Sequence, residues 1–261
     1  MTLFVVGLGL LNSSTSNFEY RSKINNVNGI QLNADLANIK IVSHSQDLSI
    51  DVQGQKPIFG EPNIDITYSQ DKAMINVHTT NQGWKKIIPG IRNKSEILLN
   101  VPAGLLEDIQ LETENGNIDV DQVTGASRLS LTSDVGTISM NSFKGGLLNV
   151  HSGNGSIHLG EVEGQINIRS KVGSVKNLFL KKIHGENNIE VSNGNVKVQL
   201  PDMTKIADLG LNISTKNGKI LSKEHKLEMI NKGPGKEVIH QTQNNEAKLN
   251  ISVSVGNIEI N

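Results

Sequence analysis

Five carboxylates crowd two neighbouring stretches of the chain: Glu112, Glu114, Asp119 and Asp121 in the first, Asp134 in the second. Paired carboxylates can hold a calcium ion, or can raise one another's pKa for acid–base chemistry. Glu114 and Asp134 occupy matching places in two copies of a repeat, so strands stacked about 4.8 Å apart would set them side by side. The same residues read equally well as a solvated corner with like charges splayed into water. Their flanks are Thr113, Asn115, Ser133 and Val135. The first cation in their column is Lys171, about 14 Å from Glu114 by the strand spacing, too far for concerted proton transfer. The expectation is a weak calcium site at most, with no catalytic residue, no cofactor and no enzymatic activity.

A second outward column, Glu112, Thr132, His151, Arg169 and Glu190, sets an imidazole beside a guanidinium and leaves Glu112 about 10 Å from His151. It reads as a surface ladder. Gly153-Asn154-Gly155 leads into a strand pattern rather than a helix N-terminus, so it offers no cradle for phosphate. There is no Walker motif, no Gly-x-Ser-x-Gly elbow and no His-Glu-x-x-His. With no cysteine, the sequence has no disulfide, thiolate zinc site, cysteine nucleophile or lipidated N-terminal Cys.

What must position any such residues is a repeat. Ile109-Gln-Leu-Glu-Thr-Glu-Asn-Gly116-Asn-Ile-Asp-Val120 is followed by Leu129-Ser-Leu-Thr-Ser-Asp-Val-Gly136-Thr-Ile-Ser-Met140. Leu148-Asn-Val-His-Ser-Gly-Asn-Gly155-Ser-Ile-His-Leu159 and Ile166-Asn-Ile-Arg-Ser-Lys-Val-Gly173-Ser-Val175 continue it. Looser copies centre on Gly194, Gly218 and Gly256, and Ile30 to Ile41 carries Ala37 in the glycine place. A period near 20 marks stacked supersecondary units. Within each copy apolar and polar residues alternate, the signature of strands with one buried face. Val at the position before the glycine in three copies resists the positive φ of a type I′ hairpin, so the glycine reads as a corner. A second corner follows at Gly125, Gly145 and Gly164, behind the inward Val123, Phe143 and Val162.

The expected fold is all-β, a single-chain β-solenoid of parallel β-helix or β-roll type with rungs of about 20 residues. Each copy is expected to lie on the one before. Leu111, Leu131, Val150 and Ile168 then stack inside, beside Ile118, Ile138, Ile157 and Val175. Thr113, Ser133, Ser152, Ser170 and Thr215 form a hydroxyl column, bonded to one another or to corner amides. An antiparallel meander of the same strands is the competing arrangement.

Three segments leave the repeat. Residues 81–94 hold the only tryptophan, Trp84, with Ile87, Ile88 and Ile91 beside Lys85, Lys86, Arg92 and Lys94. This mixture suits an anionic membrane interface or a partner surface, and equally a loop covering the flank of a strand stack. Met1 to Leu11 is an apolar run, shorter than the roughly 20 residues of a spanning helix. It reads as the remnant of an anchor or export signal, or as a buried first strand. Residues 1–20 are thus expected to be a leader and polar linker, and 21–261 one repeat domain. Ser222 to Ala247 reads as a surface loop around one irregular strand.

Lys plus Arg (25) nearly balances Asp plus Glu (26), which removes the electrostatic case for nucleic acid or another polyanion. Aromatic residues make up only 3%, so the core must be aliphatic and thin. From Ile97-Leu-Leu-Asn-Val-Pro102 into the glycine-cornered copies, the sequence resembles the bacterial putative adhesin family, β-strand-repeat domains of unknown function. The resemblance covers residues 24–261 and brings no functional residue with it. It implies a membrane-associated cell-envelope protein on the extracytoplasmic side, often beside envelope-stress regulators. The expected function is non-catalytic: a β-solenoid surface for adhesion, or for contact with a protein or a cell-wall glycan. Membrane contact is expected through the leader and residues 81–94. The competing expectation is a carbohydrate-binding or carbohydrate-cleaving β-helix built on Glu114 and Asp134.

Overall fold

The computed structural model describes residues 17–43, 46–56, 62–78, 95–201, 209–222, 227–240 and 247–261, and every regular element among them is a strand. The leader up to residue 16 and the whole of 81–94, with Trp84, lie outside the described residues. The central coils comprise β8 (Asp108–Asn115), β9 (Ile118–Thr124), β10 (Arg128–Val135), β11 (Ile138–Asn154), β12 (Ile157–Val172), β13 (Val175–Lys182), β14 (Gly185–Asn193) and β15 (Val196–Gln199). Before them come β1 (Asn17–Lys23), β2 (Gly29–Ala34), β3 (Ala37–Val42), β4 (Ser49–Gln55), β5 (Asn63–Ser69), β6 (Lys72–His78) and β7 (Ser95–Asn100). After them come β16 (Leu209–Asn217), β17 (Ile220–Ser222), β18 (Ile230–Lys232), β19 (Gly235–His240), β20 (Ala247–Val255) and β21 (Ile258–Ile260). β1 begins inside the stretch assigned from sequence to the linker.

The central strands pair in parallel, which excludes the meander there. Ile109 stands opposite Leu129, Leu129 opposite Leu148, and Leu148 opposite Ile166, so glycine-aligned copies lie side by side in a β-solenoid-like stack. Each coil has two flanks joined at the glycine corner. Of the second predicted corners, Gly125 breaks the chain between β9 and β10, with φ +85°, whereas Gly145 and Gly164 are bends within the continuous strands β11 and β12.

The glycine corner is a steric requirement. Gly173 has φ +141°, and a Cβ built there would lie 1.9 Å from the carbonyl oxygen of Gly155 in the next coil. Coils can approach this closely only if the side chain is absent. The hydroxyl column lines the inside of the same corner. Ser133 Oγ donates to the Gly116 carbonyl and Thr113 Oγ1 to that of Ala37, each at 2.9 Å. Ser152 and Ser170 donate to the carbonyls of Gly155 and Gly173. The acceptors are therefore corner carbonyls, not the amides or neighbouring hydroxyls expected from sequence. Thr215 makes the same bond to Gly256 but is separated from the others by Val191 and Val253.

One expectation fails at both ends of the stack, where coils do not lie in sequence order. Ile251 of β20 pairs with Ile189 of β14 on one side and Ile213 of β16 on the other, so coil β20–β21 is threaded between two earlier ones. Likewise β2–β3 sits between β8–β9 and the later coil β6–β7. The reason lies in the excursions. The chain leaves β3, runs antiparallel through β4 and β5, and returns as an outer coil. At the other end, the loop predicted around one strand is a hairpin of β18 and β19, turning at Gly233, with β19 antiparallel on β16. Antiparallel strands thus close both ends, where a bare coil would present an unpaired edge.

In stack order the inner column reads Ile75, Leu32, Leu111, Leu131, Val150, Ile168, Ile189, Ile251, Ile213 and Val238, all buried. At an estimated 2 kcal/mol for each buried aliphatic, such columns are the main source of stability. Besides the hydroxyl column, the buried polar residues include an amide. Asn187 is buried, its Oδ1 accepting from the Ile166 amide at 3.0 Å and its Nδ2 facing the carbonyls of His184, Gly185 and Lys248. It satisfies the backbone where the chain bends into β14, as a buried amide must.

Candidate binding face

On the first flank, residues between the inner aliphatics point outward and, by the parallel register, form columns. The most regular is Asn149, Asn167, Asn188, Asn250 and Asn212, each opposite the next. Five amides follow one another along the stack at one per coil, about 4.8 Å apart. Beside them runs the column predicted from sequence, Glu112, Thr132, His151, Arg169 and Glu190, which continues through Ser252 and Ser214.

The two columns enclose a shallow groove of 380 Å³ lined by Asn167, Arg169, Asn188, Glu190, Asn212, Ser214, Asn250 and Ser252, with Ile189 and Ile251 at its floor. Asn250 Nδ2 donates to Asn188 Oδ1 at 2.9 Å and to Glu186 Oε1 at 3.1 Å, fixing the middle of the ladder. Arg169 Nε lies 3.6 Å from Glu190 Oε2, so the charges in the groove largely cancel. Such a surface can donate and accept hydrogen bonds over several coils.

Glu114 and Asp134 lie on adjacent strands, beside the paired Thr113 and Ser133, and both are exposed. Among the described residues no group of three or more His, Asp or Glu is arranged to hold a metal. Two carboxylates alone fall short of the roughly six to eight oxygens that calcium takes.

Among the described residues, one electrostatic cluster that sequence reasoning missed is centred on Asp108. Asp108 receives Arg128 through Nε and Nη2 at 2.9 and 3.0 Å, and Lys72 Nζ at 3.1 Å. Lys72 reaches it across Gly29, which has no side chain to intervene. Burial alone would raise the Asp108 pKa, but the hydrogen bonds from Arg128, Lys72 and Gln110 outweigh it and hold the carboxyl at about 2. This clamp joins the N-terminal coils to the central stack. Arg128 stands at the Asp108 place of the next copy, a signal available in sequence; Lys72 depends on coil order, which was not.

The Asn ladder was also missed. Its signal was present, since Leu148-Asn-Val, Ile166-Asn-Ile, Leu211-Asn-Ile and Leu249-Asn-Ile recur, but the contiguity of Asn188, Asn250 and Asn212 requires the threaded coil. No helix among the described residues is long and apolar enough to cross a membrane.

Compared with known proteins, residues 105–261 match the family model Toastrack DUF4097. No curated protein matches the chain. Solved structures with a similar course include a putative cell adhesion protein from Clostridium sporogenes, 15% identical over 94% of this chain and 99% of that one, with a TM-score of 0.37. A putative adhesin from Bacteroides fragilis is 13% identical over 95% and 98%, with a TM-score of 0.45. A putative lipid binding protein from Parabacteroides distasonis is 12% identical over 96% and 98%, with a TM-score of 0.41.

Proposed function

Since the chain belongs to the Toastrack DUF4097 family, adhesin-like domains of unknown function, we propose that it is a non-catalytic binding domain of the bacterial cell envelope. In this reading it stands on the extracytoplasmic side, and rungs of about 20 residues form a rigid spacer that displays the outward first flank to a protein or wall partner. The observation that carries the proposal is the polar groove, where side chains without a hydrogen-bond partner among the described residues repeat along the stack. A rigid, preorganised array binds at low entropic cost, which is what an adhesive surface needs. The segment 81–94 is the proposed site of membrane contact.

The test is sedimentation of the purified chain with isolated bacterial envelopes. The double variant N167A/N212A should lose most of the bound fraction, while K176A on the second flank should keep it. Equal binding by both variants would remove the first flank from the proposal.

A further inference from the structure

The groove's chemistry narrows the ligand. Asn167, Asn212, Ser214 and Ser252 make no side-chain hydrogen bond among the described residues, and Asn188 spends only its oxygen, on Asn250. The face holds donors and acceptors that no other described residue takes up. It has no aromatic or exposed aliphatic anchor of the kind that dominates protein interfaces, its Ile189 and Ile251 being 1% exposed. Nor does it present an excess of cations, since Arg169 faces Glu190, so a polyanion has no electrostatic reason to settle there.

Resting on the reading of this flank as the binding face, we propose that its ligand is an extended, uncharged polysaccharide strand lying along the stack axis, across the β-strands. A sugar ring advances such a chain by nearly the distance that one coil advances the stack, about 4.8 Å. Each ring can therefore meet one Asn, which offers an N–H and a carbonyl oxygen to neighbouring hydroxyls, with Ser252 and Ser214 serving its other edge. From Asn149 to Asn212 the ladder spans four steps, about 19 Å, or room for four to five rings. Without aromatic stacking each ring contributes little, so affinity must accumulate with length.

The experiment is calorimetric titration of the full chain with cello-oligosaccharides and chito-oligosaccharides of two to eight rings, and with an oligogalacturonate series as the acidic counterpart. Affinity should climb steeply up to four or five rings and then level, and the oligogalacturonates should bind more weakly. N167A/N212A should weaken the five-ring ligand about tenfold or more, each lost hydrogen bond being worth a few-fold. Among the described residues these two side chains make no hydrogen bond, and an unchanged melting temperature will confirm that folding is intact. Absence of saturable binding by every neutral oligomer, affinity indifferent to length, or equal binding by the double variant would overturn the inference. If envelopes still bind in a manner sensitive to N167A/N212A while no neutral oligomer does, the glycan assignment fails and the binding face stands. If neither binds, both fail.

Discussion

Replacing Gly173 by Ala tests the corner most severely. The added Cβ would sit 1.9 Å from the Gly155 carbonyl oxygen and 2.6 Å from its carbon, at a residue whose φ is +141°. A normal contact requires the coils to part locally by more than 1 Å. The bonds at risk between the two parted coils are Gly155 N to Val172 O and Ile157 N to Ser174 O, both at 2.9 Å. Losing both at about 1 kcal/mol each, with 1–2 kcal/mol of backbone strain, gives a cost of roughly 3–4 kcal/mol. Gly233 is the control: φ is +61°, but nothing lies within 4 Å of its added Cβ, so G233A should cost only the αL penalty of about 1 kcal/mol. Urea unfolding followed by far-ultraviolet circular dichroism measures both. Equal costs for G173A and G233A would show that close coil approach does not require the corner glycines.

Four further outcomes follow from the same geometry. Ile157→Asp places a charge in a fully buried column and should cost several kcal/mol, against less than about 1 kcal/mol for the outward His158→Asp, by chemical denaturation. Because the Asp108 pKa is lowered from 3.8 to about 2, the clamp's contribution is complete above pH 4 and fades as acid brings the pH towards 2. Solvent screening limits it to about 1 kcal/mol, and Asp108→Asn should flatten that part of the pH–stability curve. Deleting residues 247–261 opens the slot between β14 and β16, and a synthetic peptide of those residues should bind the truncated chain and restore its melting temperature. If residues 81–94 meet membranes, Trp84 fluorescence should shift to the blue with anionic vesicles, and K85A/K86A should abolish the shift.

The parts of the fold governed by local rules were legible in the sequence. Alternation at Leu129-Ser-Leu-Thr-Ser gave the faces, and the aligned glycines gave the register that places Ile138 between Ile118 and Ile157. Coil order at the ends was not legible from local rules, because it is set by where β4, β5, β18 and β19 turn back. The ridge before the corner glycines carries a hidden check: Asn115, Val135, Asn154, Val172, Asn193, Val255 and Asn217 alternate along the stack. Without the threaded coil, Asn193 would adjoin Asn217. Exposed valines separated by amides leave no continuous apolar strip. Asn187 could not be placed from sequence, being a polar residue in an aliphatic column whose partners come from three coils. For the candidate site, His151, Arg169 and Glu190 were read correctly as a column. The Asn ladder beside them went unnoticed, because a single Asn between aliphatics looks like any outward position until register joins it to four others.

The claim that the first flank is the binding face can be tested on this chain with unusual directness, since it contains no cysteine. Single variants Asn188→Cys, Asn212→Cys and Lys176→Cys place one thiol on the ladder, at its far end and on the opposite flank. The rate of maleimide labelling is then compared with and without envelopes. Slower labelling at positions 188 and 212, with an unchanged rate at 176, is the predicted result; protection at 176 alone, or at none of the three, would contradict the claim.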